Sequence, residues 1–198
     1  MEKFTVFPNK SITANGAVST EFLGLGIHTL VDACRYVHEL PYGYNSDRDD
    51  LMILFTENMG TCTTKHAVIA TLAAELDLPI TKAIGIYAMS DAIVTGTNTI
   101  LKKYGLPYIP MLHCFLKFGD YRIDLTEGNQ NGKNRPIEEF LHTEEVTPNI
   151  SAKDEYILYR QALKDKILIR REFQAIDIRR ILHAREDALA LLKSKLQP

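Results

Sequence analysis

The chain has 198 residues, 45% of them hydrophobic and 24% charged, with a net charge of −2 at pH 7. These values fit an ordinary folded domain with a sizeable core, and they remove any global electrostatic case for nucleic acid or an anionic membrane surface. No window approaches transmembrane length, Met1 to Pro8 lacks the apolar run of a signal peptide, and three widely spaced cysteines (Cys34, Cys62, Cys114) imply no disulfide framework, so a cytoplasmic location is expected.

In chain order, Phe4 to Phe7 reads as a short strand. Ser19-Thr20-Glu21-Phe22 opens a helix whose spacing continues through Leu25, His28, Thr29, Asp32 and Tyr36, and Pro41 ends it. Tyr42 to Asp47 has the Gly/Asn/Asp chemistry of a loop. After Cys62, the stripe Ile69, Leu72, Ala73, Leu76 predicts a helix that stops at Asp77-Leu78-Pro79. Thr81 to Met89 alternates as a strand, and Ser90 to Pro110 has no single pattern, being interrupted at Gly96, Gly105 and Pro107.

Met111 to Leu125 carries the strongest strand signal: two apolar runs flank Gly119-Asp120, a two-residue turn with glycine first. Pairing Phe118 with Tyr121 sets Leu112, Cys114, Leu116 and Phe118 on one apolar face with Tyr121, Ile123 and Leu125. His113 and Asp124 then share the opposite face as diagonal neighbours, roughly 7–8 Å apart at the backbone. From Ser151 onward the chain reads as one or two long helices, with Ile178, Leu182, Leu189, Leu192 and Leu196 in helical register. That segment holds eleven Lys/Arg against seven Asp/Glu, leaving the body of the chain acidic. The division expected is a core over residues 1–150 and a helical extension over 151–198, whose two uses are packing on the core and self-association.

Cys62 carries the chemistry. It lies in Glu57-Asn58-Met59-Gly60-Thr61-Cys62-Thr63, at the start of the predicted helix. The partial positive charge of a helix N-terminus and a nearby imidazolium both favour a thiolate over a thiol. With His113 as base and Asp124 as its orienting carboxylate, the set forms a Cys-His-Asp acyl-transfer site. Asn58 and Asn45 are candidate side-chain oxyanion donors, and His66 is placed at the helix surface beside the site. Cys34/His38 and Cys62/His66 each have i, i+4 spacing that could present two metal ligands, but the short Cys-x-x-Cys pairing is absent, so no metal and no cofactor is expected. The polar run Gly128 to Asn134 is read as a connector or a rim for substrate.

These pieces resemble the transglutaminase-like branch of the papain-type cysteine enzymes. The order matches: a helix ending at Tyr42-Gly43-Tyr44, Gly60-x-Cys62 opening a helix that ends in Leu78-Pro79-Ile80, a strand, His113 on a strand, and Asp124-Leu125-Thr126 in place of the family's usual Asp-Pro-Thr. The resemblance spans roughly Ser19 to Thr126. It implies an α+β fold with the nucleophilic helix packed on an antiparallel sheet, Cys62 as nucleophile, His113 as base and Asp124 as orienter; the function expected is acyl transfer from a peptide or amide through a Cys62 thioester, as a peptidase, an amidase or a transglutaminase. The Arg-Gly-Gly-x-Cys pattern of arylamine acetyltransferases has no match here. A non-catalytic binding module on the same fold, with its contacts made by the helical tail, is the alternative.

Overall fold

The first two helices are separate because Gly26 adopts a left-handed conformation (φ 74°) between them. Helix α1 is Ala17–Gly24 and α2 is Leu30–Glu39, where one continuous helix was expected. Thr29 restarts the chain as an N-cap, its side chain accepting from the Asp32 amide. The expected strand at Phe4 to Phe7 is a 3-10 turn over Lys3–Val6 instead. A short helix, α3 (Ile53–Glu57), ends at Asn58, which supplies the left-handed cap (φ 51°), and α4 (Cys62–Glu75) follows.

Strand β1 (Thr81–Met89) matches its expected limits, and α5 (Thr97–Tyr104) occupies part of the stretch that carried no single pattern. Strands β2 (Ile109–Phe118) and β3 (Tyr121–Ile123) form the hairpin, and β4 (His142–Val146) is a strand that the sequence did not signal. Helix α6 (Ala152–Ala162) runs on into a π turn, and α7 (Ile178–Ser194) is capped by Asp177. The computed structural model describes residues 3–196; residues 1–2 and 197–198, the ends of the two expected segments, lie outside them.

The fold class is α+β, with a sheet in the order β3-β2-β1-β4. The hairpin has the expected register: Phe118 pairs with Tyr121, Lys117 with Arg122 and Leu116 with Ile123, antiparallel, around Gly119 at φ 55°. Its inner face holds Cys114, Leu116, Ile123 and Leu125, all buried, whereas Tyr121, expected there too, is 58% exposed at the turn.

The chain divides into two units that alternate along the sequence. Unit 1 takes the described residues up to Ile84, then Cys114–Asn129 and Glu145–Ala152. Its core gathers Val18, Phe22, Leu30, Val37, Val68 and Leu72 with the hairpin residues Leu116, Ile123 and Leu125. Helix α4 is the axis of this unit: α1, α2 and α3 pack against it, and ten of its fourteen residues are buried, so it has no solvent face to spare. Its last residue, Glu75, caps α1 by accepting from the amides of Val18 (3.2 Å) and Ser19 (2.7 Å).

Unit 2 takes Gly85–His113, Gln130–Glu144 and the described residues from Lys153 onward. Ile86, Met89, Ile109 and Met111 pack there with Tyr159, Leu163, Phe173 and Ile181, and Tyr159 donates to the Pro110 carbonyl at 2.8 Å. The C-terminal helices are thus part of this unit's core. Among the described residues, no helix is long and apolar enough to cross a membrane.

Candidate active site

Cys62 is the first residue of α4, with Thr61 as N-cap and the Thr61 amide bonded to Thr64 Oγ1 at 3.1 Å. The chain is led to this point by a short parallel bridge between Tyr42 and Gly60, in which Gly60 donates to Pro41 O and Gly43 donates to Gly60 O. Gly60 has to be glycine here: a Cβ would stand 2.6 Å from Thr64 Oγ1 and 3.2 Å from Leu54 Cδ1 and Lys65 Cγ. Cys62 is partly exposed, whereas Cys34 and Cys114 are buried and every residue from Thr63 to Ala70 is buried. Burial pushes the Cys34 thiol up, away from any reactive range.

His66, one turn along α4, lies in the core at 0% exposure and not on the helix surface as expected. Its Nε2 receives the Leu125 amide N–H at 2.9 Å, so that nitrogen carries no proton. The proton therefore resides on Nδ1, which donates to the Cys62 carbonyl at 2.6 Å. Asp124 Oδ1 stands 3.6 Å from Nε2, but an Nε2 already occupied by an amide N–H makes this a contact with a neutral ring and no ion pair. His66 thus ties the backbone of Cys62 to the segment that carries Asp124.

Asp124 follows β3 directly and leaves the ladder, so the diagonal pairing expected for it is not formed by strand register. Its Oδ1 accepts from the Thr126 amide (2.8 Å) and the Thr126 hydroxyl (2.7 Å), which fixes the carboxylate in a tight local turn. Its side chain is 20% exposed. His113 lies on β2 in unit 2, buried to 2%, with its ring edge-on to Tyr87 at 6.4 Å and 85°. In unit 1, Cys114 Sγ is 3.6 Å from Thr63 Oγ1, so the Cys114 end of this unit's β2 segment packs on α4.

Of the two expected oxyanion donors, Asn45 already spends both amide protons, on Glu57 Oε2 (2.9 Å) and Met59 O (3.0 Å), while accepting from Thr64 Oγ1 at 2.8 Å. It braces the approach to Cys62. Hydrogen bonds from Ser46 and Asn45 hold the Glu57 carboxyl below its ordinary value. Asn58 is exposed and serves the backbone as the α3 cap.

Two lysines that the sequence reading passed over are wholly buried in this unit. Lys82 Nζ donates to Thr63 O (3.0 Å) and Pro148 O (2.9 Å). Lys65 Nζ donates to His38 O, Leu40 O and Asn129 Oδ1. Asn129 comes from the polar run read as a connector or rim; its Nδ2 is bonded to His38 O (2.6 Å) and Leu40 O (3.0 Å). The signal for the lysines was a cation on an otherwise apolar helix or strand face, a pattern that requires internal acceptors. Of the i, i+4 pairs weighed as ligands, Cys34 is a buried core residue and the His38 ring engages Leu125 O at 2.9 Å. Among the described residues, no group of three or more His, Cys, Asp or Glu stands close enough to hold a metal ion.

Comparison with known proteins finds no matching family model, no matching curated protein and no matching solved structure.

Proposed function

We propose that the chain is a cysteine-dependent acyl-transfer enzyme on a transglutaminase-like core, acting on an amide or peptide bond through a thioester on Cys62. The observation that carries this reading is the setting of Cys62: the one partly exposed cysteine opens the central buried helix, with its carbonyl tied through His66 to the segment bearing Asp124. A thiol at that position gains from the N-terminal field of α4 when it ionises.

In this reading His113 takes the Cys62 proton, and the thiolate adds to the substrate carbonyl carbon. The oxyanion that forms is stabilised by amides at the start of α4, since Asn45 has no proton to offer. The C–N bond breaks as His113 protonates the departing amine. Water or a second amine then attacks the thioester, His113 accepts its proton, and the C–S bond breaks to restore Cys62. Asp124, held by Thr126, orients and stabilises the imidazolium. The acceptor decides between hydrolysis and transfer.

An activated aryl ester tests this directly. Mixing with 4-nitrophenyl acetate is expected to release a near-stoichiometric burst of phenolate and to leave the acetyl group on Cys62, located by peptide mass spectrometry. Cys62→Ala should abolish both. Acetylation spread over surface lysines, with no burst, would remove the basis of the proposal.

A further inference from the structure

Lys65 and Asn129 form a closed set of hydrogen bonds. A protonated lysine has three N–H donors, and Lys65 has three acceptors: His38 O (3.3 Å), Leu40 O and Asn129 Oδ1 (3.0 Å). Asn129 sends its own two amide protons to the same two carbonyls. All three Lys65 donors and both Asn129 amide protons are matched, and the two carbonyls lie at the end of α2, where helix C-terminal oxygens attract a cation. One end of the Asp124–Asn129 segment is fixed here; the other is fixed by His66 on Leu125 N and by the His38 ring on Leu125 O.

We propose that Lys65 is the positioning residue of the Cys62 site: its buried ammonium clamps the Asp124–Asn129 segment to the end of α2, and the clamp opens when Lys65 loses its proton. This rests on the reading of Cys62 as an acyl-transfer nucleophile. The charge balance supports it. Burial lowers the Lys65 value to about 8, and the Asp124 carboxylate opposes that shift. A neutral amine has two donors and a lone pair, so deprotonation loses one of the three contacts and turns a lone pair toward an oxygen. The other titratable groups at this cluster are committed elsewhere: the His38 ring to Leu125 O, the His66 ring to Cys62 O and Leu125 N, and Glu127 to Lys3 on the outer side of the segment.

The sign of the stability effect separates this clamp from general loosening. Burial holds the folded-state Lys65 value below the unfolded one, so the cost of burying the charge is full below about pH 8. It is relieved as pH rises toward the ordinary lysine range of about 10.4. This group therefore adds stability over the same interval in which the clamp opens.

The test is NMR on the full chain. In the wild type, the Asn129 side-chain amide and the Leu125 backbone amide are expected to shift together in one step centred near pH 8. Lys65→Met should abolish that step. No wild-type step, or a step that persists in Lys65→Met, would overturn the proposal. If Lys65→Met does not fold, the wild-type step decides alone. Acetylation of Cys62, followed in parallel, keeps the two ideas apart: a step with no acetylation supports the clamp and sinks the enzyme reading, and acetylation without a step does the reverse.

Discussion

His66→Phe is expected to destabilise unit 1 by about 2–4 kcal/mol, read from urea denaturation midpoints, although phenylalanine is as large and more apolar. The ring sits at 0% exposure, so size and hydrophobicity alone would predict a neutral or favourable change. The hydrogen bonds decide the other way. Phenylalanine removes the acceptor of the Leu125 N–H and the donor to the Cys62 carbonyl. The Cys62 carbonyl keeps its place in the helix ladder, but a buried N–H at Leu125 is left without a partner, which costs about 1–3 kcal/mol by itself. Because Leu125 follows Asp124 directly, the loss also frees the candidate orienting carboxylate. A variant as stable as the wild type would show that the His66 bridge is dispensable.

His113→Ala is expected to slow acetylation of Cys62 by about 10²–10⁴-fold, the usual contribution of a positioned general base. His113 is buried to 2% beside Tyr87, so the shortened side chain also leaves a void. His113→Gln, closer in volume and lacking a group that titrates near neutrality, separates the two effects. Both variants should lose reactivity alike, while only the alanine variant loses appreciable stability. A rate within about threefold of wild type in His113→Gln would remove His113 as the base.

The parts of the fold legible from sequence were those governed by local rules. The hairpin register followed from glycine at the first turn position and from alternation, and α4 followed from the Ile69-Leu72-Ala73-Leu76 stripe. The break between α1 and α2 was missed because helical spacing continued numerically through residues that Gly26 divides, and β4 was missed because His142-Thr143-Glu144-Glu145-Val146 has no apolar alternation. The site was legible in part. Cys62 at a helix start was a local inference, but the placement of His66 in the core depended on α4 being buried on all sides, which a single stripe does not announce. For Lys65 and Lys82 a cation on an apolar face signals burial without naming the partners, and for Asn129 no local pattern does: the partners are mostly main-chain carbonyls more than twenty residues away or on distant loops. The acidic body and basic tail, by contrast, described surfaces that the candidate chemistry does not use.

The most direct measurement is the pH dependence of Cys62 alkylation by iodoacetamide in the folded wild-type chain, followed by peptide mass spectrometry with Cys34 and Cys114 as internal references. An activated nucleophile is expected to label fast and nearly independently of pH down to about pH 5, while the two buried thiols stay unlabelled. Labelling of Cys62 that climbs about tenfold per pH unit toward an ordinary thiol value near 8.5 would contradict the account.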